Sequence, residues 1–204
     1  MMQPTMNTAR ETIVVKTADA RVAAELASSL GIPAAAAAIL AVRGFTTPDE
    51  CRRFFSPGQA QFYDPFLFSD MEKACDRVCA AIRDREKIVI YGDYDVDGVT
   101  STVILIRLLR QFGADCDYYL PNRLTEGYGL SEEGIRAIAQ QRAKLVVSVD
   151  CGITACKEVD LANSLGIDVI VSDHHEPKDR VPTAFALLDP KLASCGYPDD
   201  ALAG

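Results

Sequence analysis

The chain has 204 residues, of which 49% are apolar and 25% are charged. This length and balance exclude a disordered chain, a collagen and a coiled coil, and they are enough for one packed domain with a small addition. The formal net charge of −8 does not by itself indicate a nucleic-acid partner.

The sequence contains no apolar run long enough to cross a membrane, so no membrane partner is expected. The first ten residues lack the apolar segment of a secretory signal. Seven cysteines are present, without a Cys-x-x-Cys pair. An odd number of cysteines without an export signal indicates reduced thiols, so we expect a cytoplasmic protein.

The first part of the chain predicts a helical lead-in. A short strand is expected over Thr12–Lys16, ahead of the helices. Three short helices follow, over Ala20–Leu30, over Pro33–Val42, and in a segment where Thr47-Pro-Asp-Glu supplies a cap, a proline and two acids. Gln59–Asp70 is aromatic and predicts a packed connector. Residues 1–70 are therefore expected to form a helical lead-in and connector.

From residue 71 onward, short apolar strands alternate with helices. Five strands are expected, over Lys87–Tyr91, Cys116–Leu120, Leu145–Val149, Asp168–Val171 and Ala184–Leu188. Four helices are expected, over Met71–Arg85, Thr100–Phe112, Ser131–Arg142 and Ala155–Leu165. Because the strands show little polar alternation, helices should cover both faces of the sheet. The prediction is an α/β fold for residues 71–204, with a doubly wound, mainly parallel five-stranded sheet and helices on both faces.

Acidic and histidine side chains follow three of the predicted strands. They are Asp93, Asp95 and Asp97 after the first strand, Asp150 after the third, and Asp173, His174 and His175 after the fourth. The carboxyl ends of parallel strands meet at one edge of the sheet, where ligands and anions bind. Carboxylates that face one another repel unless a cation joins them. Oxygen ligands with one or two imidazoles suit Mn²⁺ or Mg²⁺ better than a structural zinc.

Such a cluster is typical of a two-metal site. Two ions about 3.5–4 Å apart, bridged by one aspartate, activate a water and stabilise the leaving oxygen of a phosphoester. Asp150 stands alone after its strand, which suits a bridging ligand. The spacing of Asp95 and Asp97 places one carboxylate on each metal.

The residues after these aspartates are candidates for phosphate binding. Gly98 lets the backbone turn tightly and come close to the ions. Thr100, Ser101 or Thr102 can cap the following helix or donate a hydrogen bond to a phosphate.

Other interpretations of the aspartate-rich segment remain open. It fits the first half of an EF-hand loop from Asp93, but Ile104 stands where calcium requires a glutamate. It also resembles the nucleophile loop of haloacid-dehalogenase-like phosphatases. In those proteins the first acid directly follows the strand, whereas the four residues Tyr91–Tyr94 can intervene here. The simplest alternative is a solvated turn.

Three segments resemble the first three motifs of the DHH phosphoesterase family. They are Ile88–Thr102, Val147–Thr154 and Val171–Pro177. Pro121–Leu130 is similar to a segment of the RecJ-type exonucleases within that family. The resemblance extends from about Ile32 to Gly204. It implies a manganese- or magnesium-dependent nuclease that removes 5′ mononucleotides from single-stranded DNA in recombination and repair.

The resemblance also implies roles for individual residues. The metal ligands would be Asp95, Asp97, the bridging Asp150, and His174. His175 would orient or stabilise the phosphate in catalysis, with a role as metal ligand as the alternative. Asp93 would support the metal ligands without binding a metal itself.

Arg123 lies in a loop that the pattern places at the same edge of the sheet. We expect its guanidinium to bind a phosphate oxygen of the substrate through charge-assisted hydrogen bonds. The alternative is a surface salt bridge with Glu126.

The chain departs from the family pattern in two respects. Relatives commonly have a histidine four residues before the first ligand aspartate, and Tyr91 stands there instead, which predicts weaker binding of one metal. The aspartate of the fourth motif is not identified, because Asp189, Asp199 and Asp200 do not lie in a comparable apolar context. We therefore expect an N-terminal fragment with weak or no activity, whose missing C-terminal domains close over the DNA.

Two other functions remain open. One is a phosphatase or pyrophosphatase of small phosphorylated substrates, and the Pro121–Leu130 segment and the helical lead-in argue against it. The other is a non-catalytic binding module of the same fold, and the three intact motifs argue against that.

Overall fold

The computed structural model describes residues 15–58 and 61–202. Contacts divide the chain into two compact units, residues 1–62 and residues 63–204. The expected strand Thr12–Lys16 lies mostly outside the described residues, and the predicted boundary after residue 70 stays a prediction. Among the described helices, none has both the length and the apolar character needed to cross a membrane.

The first unit contains three helices, α1 (Ala20–Leu30), α2 (Ala34–Val42) and α3 (Pro48–Phe55). They pack around a small core that consists of Leu26, Ala37, Leu40 and Cys51. A capping box starts α3, because the Thr47 hydroxyl accepts from the Glu50 N–H and the Glu50 carboxylate accepts from the Thr47 N–H. The predicted helical lead-in is thereby confirmed.

The second unit is built on a five-stranded parallel sheet. Its strands are β1 (Ile88–Gly92), β2 (Cys116–Tyr119), β3 (Leu145–Val149), β4 (Asp168–Ser172) and β5 (Ala186–Leu188). They lie in the order β2-β1-β3-β4-β5, and every neighbouring pair is parallel. This order reverses between β1 and β3, and such a reversal is where open α/β sheets bind ligands. The predicted α/β fold is confirmed.

Helices cover both faces of this sheet. They are α4 (Met71–Arg83), α5 (Val96–Gln111), α6 (Glu132–Gln140) and α7 (Cys156–Ser164). The apolar cluster under α4 and α5 includes Ile90 and Val147, whereas the cluster under α6 and α7 includes Val89 and Val146. Successive strand residues therefore pack on opposite faces, which explains the unbroken apolar strands.

Helix α5 begins four residues earlier than the sequence predicts, at Val96 instead of Thr100. The cause is the Asp95 carboxylate, which accepts hydrogen bonds from the backbone N–H groups of Asp97 at 2.9 Å and Gly98 at 3.1 Å. The expectation that a hydroxyl caps this helix is therefore wrong. Asp97 and Gly98 lie in its first turn rather than in a loop.

Candidate metal centre

Three carboxylates meet where the strand order reverses. Asp93 and Asp95 follow β1, and Asp150 directly follows β3. Each of the three offers an oxygen, and these oxygens all lie within 4.8 Å of one another. Asp93 and Asp150 are buried, whereas Asp95 is exposed. A cation placed among these oxygens would relieve the repulsion between them.

The two histidines complete a second group at the same edge. Asp150, His174 and His175 each offer a ligand atom, again within 4.8 Å of one another. Nε2 of His174 lies 3.0 Å from Oδ1 of Asp150. Asp150 therefore belongs to both groups, which is the position that a bridging ligand of two metals needs.

Asp150 occupies an unfavourable environment. Its φ of 60° is in the left-handed region, which a residue other than glycine rarely adopts. Burial and the neighbouring carboxylate of Asp95 raise the pKa of Asp150 to about 6, against a smaller opposing effect of His174. The backbone thus holds this carboxylate where its charge is costly without a cation.

Unpaired oxygens indicate that the donor set fits a divalent cation. Oδ2 of Asp93 and Oδ2 of Asp150 are buried and have no hydrogen-bond partner within the described part of the chain. A buried polar atom without a partner destabilises the fold, so such atoms in a native protein are explained by an ion or a ligand. Carboxylates and imidazoles are a donor set that suits Mn²⁺ or Mg²⁺.

Asp97 is placed differently from its neighbours. It lies half-exposed in the first turn of α5 and belongs to neither group of converging ligands. The early start of α5 explains this, because the helical turn separates the directions of Asp95 and Asp97.

Asp173 organises the two histidines and was given no role by the sequence. Its carboxylate accepts hydrogen bonds from the backbone N–H groups of Ile153, His174 and His175, at 2.9, 2.8 and 3.2 Å. Nδ1 of His175 also lies 2.7 Å from Oδ1 of Asp173. The sequence indicated Asp173 only through its position immediately after β4, where a buried carboxylate needs hydrogen-bond donors.

The loop over residues 121–131 brings Arg123 to this edge. The exposed guanidinium lies over the ring of Tyr94, with 5.2 Å between its central carbon and the ring centroid. No ion pair with Glu126 is formed in the described chain. Glu126 instead accepts from the Tyr119 hydroxyl at 2.7 Å and from the Asn122 N–H at 2.9 Å. The salt-bridge alternative is therefore wrong.

Tyr128 is a second residue that the sequence interpretation missed. Its hydroxyl donates to the Asp150 carbonyl oxygen at 3.1 Å and lies 3.1 Å from Nε2 of His175. It therefore connects the 121–131 loop to both groups of ligands. Its position within Pro121–Leu130 was the only signal in the sequence.

Tyr91, which stands where relatives commonly have a histidine, is buried away from both groups of ligands. Its hydroxyl accepts from the Ser131 N–H and donates to the Gly129 carbonyl, each at 3.2 Å. Burial raises the pKa of Tyr91 to about 12, so the phenol stays neutral. Tyr91 therefore holds the 121–131 loop from beneath.

The two other candidates for phosphate binding have distinct environments. Gly98 is buried, and a Cβ on it would lie 2.5 Å from the backbone nitrogen and oxygen of Asp93. Its N–H is already donated to Asp95, so its main role is to let α5 start against the Asp93 backbone. Ser101 lines a cavity of about 320 Å³ together with Asp150 and His174.

Asp189 differs from what the sequence predicts. It directly follows β5 and is fully buried, with Oδ2 lacking a partner in residues 15–58 and 61–202. Burial raises the pKa of Asp189. The expectation that Asp189 lacks an apolar context is wrong. It directly follows the last residue of β5 and is buried with the end of that strand.

Known proteins are similar to this chain in both sequence and structure. Residues 87–204 match the DHH family, N-terminal domain. The single-stranded-DNA-specific exonuclease RecJ of Bacillus subtilis (strain 168) is 44% identical over 179 residues, which are 88% of this chain and 23% of that protein. The chain therefore spans about a quarter of the length of this relative.

Two solved structures are similar. An exonuclease RecJ bound to manganese has a TM-score of 0.60 and 35% identity, over 65% of this chain and 34% of that one. RecJ from Thermus thermophilus in complex with Mn²⁺ has a TM-score of 0.64 and 28% identity, over 89% of this chain and 24% of that one. Since the family match covers more than half of its residues and includes all the converging ligands, the chain belongs to the DHH family.

Proposed function

We propose that this chain carries the metal centre of a 5′→3′ exonuclease that hydrolyses single-stranded DNA in recombination and repair. The observation that carries the proposal is Asp150, which is shared by two groups of metal-type ligands and keeps a buried oxygen without a partner among the described residues. The relatives named RecJ exonucleases support the substrate and the reaction. The polarity of digestion rests on this resemblance.

The proposed ligands of two Mn²⁺ or Mg²⁺ ions are Asp95, Asp97, Asp150 and His174. Asp150 and His174 are supported by their 3.0 Å contact, and Asp95 by its closeness to Asp150. Asp97 is proposed on the motif alone. When bound, the ions would supply an activated water and charge stabilisation of the leaving oxygen.

Other residues of the chain would hold the scissile phosphate. We assign His175 to this role because Asp173 and Tyr128 fix its ring beside Asp150. Arg123 is free of a carboxylate partner in the described chain and would donate to a phosphate oxygen. Asp93 supports the ligands from the buried side, and Ser101 borders the substrate. Gly98 contributes to the substrate side only indirectly, because it lets α5 start beside Asp93.

We assign residues 71–204 to the DHH domain and residues 1–70 to a lead-in, in a protein of the cytoplasm. The relatives are about four times as long as the matched region. The remaining domains would close over single-stranded DNA, so the chain alone is expected to be weakly active or inactive.

The test compares the chain with a chimera in which it replaces the matched 179 residues of the Bacillus subtilis relative. Single-stranded and duplex oligonucleotides, labelled at either end, are incubated with Mn²⁺. The chimera should release mononucleotides from the 5′ end of the single strand only. Asp150→Asn should lower this rate by about 100-fold or more, whereas Asp76→Asn, which changes an exposed acid on α4, should not.

Two other results would contradict the proposal. Hydrolysis of pyrophosphate without hydrolysis of DNA would identify a phosphatase of small substrates. Binding of the single strand without any hydrolysis, in a folded chimera, would identify a non-catalytic module.

A further inference from the structure

An open apolar groove runs between α4 and α5, on the face of the sheet opposite α6 and α7. Its volume is about 620 Å³. The floor is formed by Ile90, Val147 and Ile170, from the three central strands. Its walls are apolar side chains of the two helices, with Val78 and Ile82 on α4 among them.

The open part of the groove lies between the two helices and above the sheet. Helix α5 packs mainly on β1 and β2 and also contacts β3, and α4 packs on β5. The floor is already covered, because Ile90, Val147 and Ile170 are only 0, 7 and 2% exposed. A docking helix would therefore contact the walls, where Leu108 and Phe112 are exposed, and not the strands.

The exposed side of α5 extends the same apolar surface. Ile104 and Leu108 on α5, and Phe112 directly after it, are 64, 45 and 66% exposed and recur every four residues. Residues at this spacing lie on one face of a helix, and such a face is normally covered by another element. An exposed apolar surface of this kind is typical of an interaction site.

The chemistry of the groove excludes nucleic acid as its occupant. Among residues 15–58 and 61–202, Arg83 is the only charged residue that lines it. A nucleic-acid backbone requires several cationic side chains, which this lining lacks. An apolar protein surface is the complementary partner.

We infer that this groove binds one amphipathic helix from the part of the longer protein that the relatives contain and this chain does not. More than three quarters of the Bacillus subtilis relative lies outside the matched region, which is enough chain to supply such a helix. The groove also continues into the cavity beside Asp150 through the shared residues Met71, Leu105, Ser172 and Leu188. Leu202 lines that cavity, so the chain itself reaches this end of the groove.

The cysteines of the chain provide a direct test that does not use nuclease activity. Cys75 and Cys79 line the groove and are exposed. Cys156 begins α7 on the other face and serves as the internal control. Cys116, Cys151 and Cys195 are buried and report whether the protein is folded.

The labelling rates of these thiols are measured in the isolated chain and in the chimera described above. In the chimera, Cys75 and Cys79 should react more slowly, on the order of tenfold, because the docked helix must open first. Cys156 should react equally in both proteins. Leu108→Lys should restore fast labelling of the groove cysteines in the chimera, whereas Leu165→Lys, on the other face, should not.

A second arm uses only the isolated chain and is decisive if the chimera does not fold. A synthetic amphipathic helix with a leucine face should protect Cys75 and Cys79, and a polar helix of the same length should not. Equal labelling in a folded chimera, or no protection by the apolar peptide, would overturn the inference. Protection in the isolated chain together with a dimeric mass would also overturn it, because a second copy would then fill the groove.

Discussion

Asp150 is the residue in which function and stability conflict most directly. It is buried, has a left-handed backbone and lies against the carboxylate of Asp95. Each of these features is unfavourable for a metal-free chain, and a bound cation would relieve the electrostatic part. Asp150 therefore lowers the stability of the metal-free fold in order to provide a metal ligand.

This conflict predicts a pH-dependent gain in stability for Asp150→Asn without metal. The pKa of Asp150 is raised to about 6 from 3.8, so its ionisation destabilises the folded state as the pH rises through this interval. In EDTA at pH 7.5, the melting temperature of Asp150→Asn should be higher than that of the wild type. The difference should be roughly 2–4 °C for each kcal/mol of unfavourable free energy that the substitution removes. The gain in stability should vanish below about pH 4, where Asp150 is protonated in both the folded and the unfolded state. A variant less stable than the wild type at pH 7.5 would contradict this account.

Several site residues were predictable because they directly follow strands. The convergence of Asp93, Asp95 and Asp150 needed only parallel strands in one sheet. The roles of Asp173 and Tyr128 were missed because they depend on which backbone and side-chain donors and acceptors pack against them. A residue pattern records which side chains end a strand, but not which loop packs on them.

At the scale of elements, the start of α5 positions the site. Gly98 allows the first turn of this helix to touch the backbone of Asp93. Helix boundaries are hard to predict where an aspartate acts as a cap, since the same residues also favour turns. The Asp-Val-Asp-Gly run therefore indicated a loop in the sequence and forms a capped helix in the structure.

Gly98→Ala tests this close approach. In a solvent-exposed helix, a change from glycine to alanine would stabilise the folded protein by about 1 kcal/mol. Here the added Cβ would lie 2.5 Å from the Asp93 backbone. We expect a net loss of about 1–3 kcal/mol in urea unfolding. Gly58→Ala is the matched control, because nothing lies within 4 Å of its Cβ, and its stability should hardly change. Equal stability of the two variants would contradict the packing role.

The 121–131 loop is held by Glu126 and responds to acid. Burial raises the pKa of Glu126, but hydrogen bonds from Asn122, Tyr119 and Ser131 outweigh this and leave the pKa below 4.5. The stability that it contributes is present above pH 4.5 and is lost as the pH falls through its folded pKa.

Glu126→Gln should therefore lower the free energy of unfolding at pH 7 by about 1–3 kcal/mol, because charged hydrogen bonds are lost. The difference from the wild type should shrink as the pH falls below 4.5 and through the folded pKa of Glu126, because the wild-type carboxylate then becomes protonated itself. A difference that is constant from pH 3 to pH 7 would show that the charge of Glu126 does not hold the loop.

At the scale of the whole molecule, the alternation of strands and helices was sufficient to predict a parallel sheet with two covered faces. The strand order was not predictable, because no short pattern shows on which side of β1 the third strand pairs. The groove between α4 and α5 was also unforeseen, since the sequence of a helix does not show whether a neighbour covers it.

The acidic character of the molecule supports a metal-dependent role. The net charge of −8 does not attract DNA, yet carboxylates converge at one edge of the sheet. We therefore expect cations to mediate any contact of this edge with phosphate.

Calorimetric titration of the chain with Mn²⁺ tests the metal centre most directly. It is performed on the wild type, on the double variant Asp95→Ala/Asp150→Ala, and on Asp76→Asn as a control of equal fold. The account predicts binding that saturates at two ions in the wild type and in Asp76→Asn, and that disappears in the double variant. Equal Mn²⁺ binding by the wild type and a folded double variant would contradict the assignment of the metal centre to these residues.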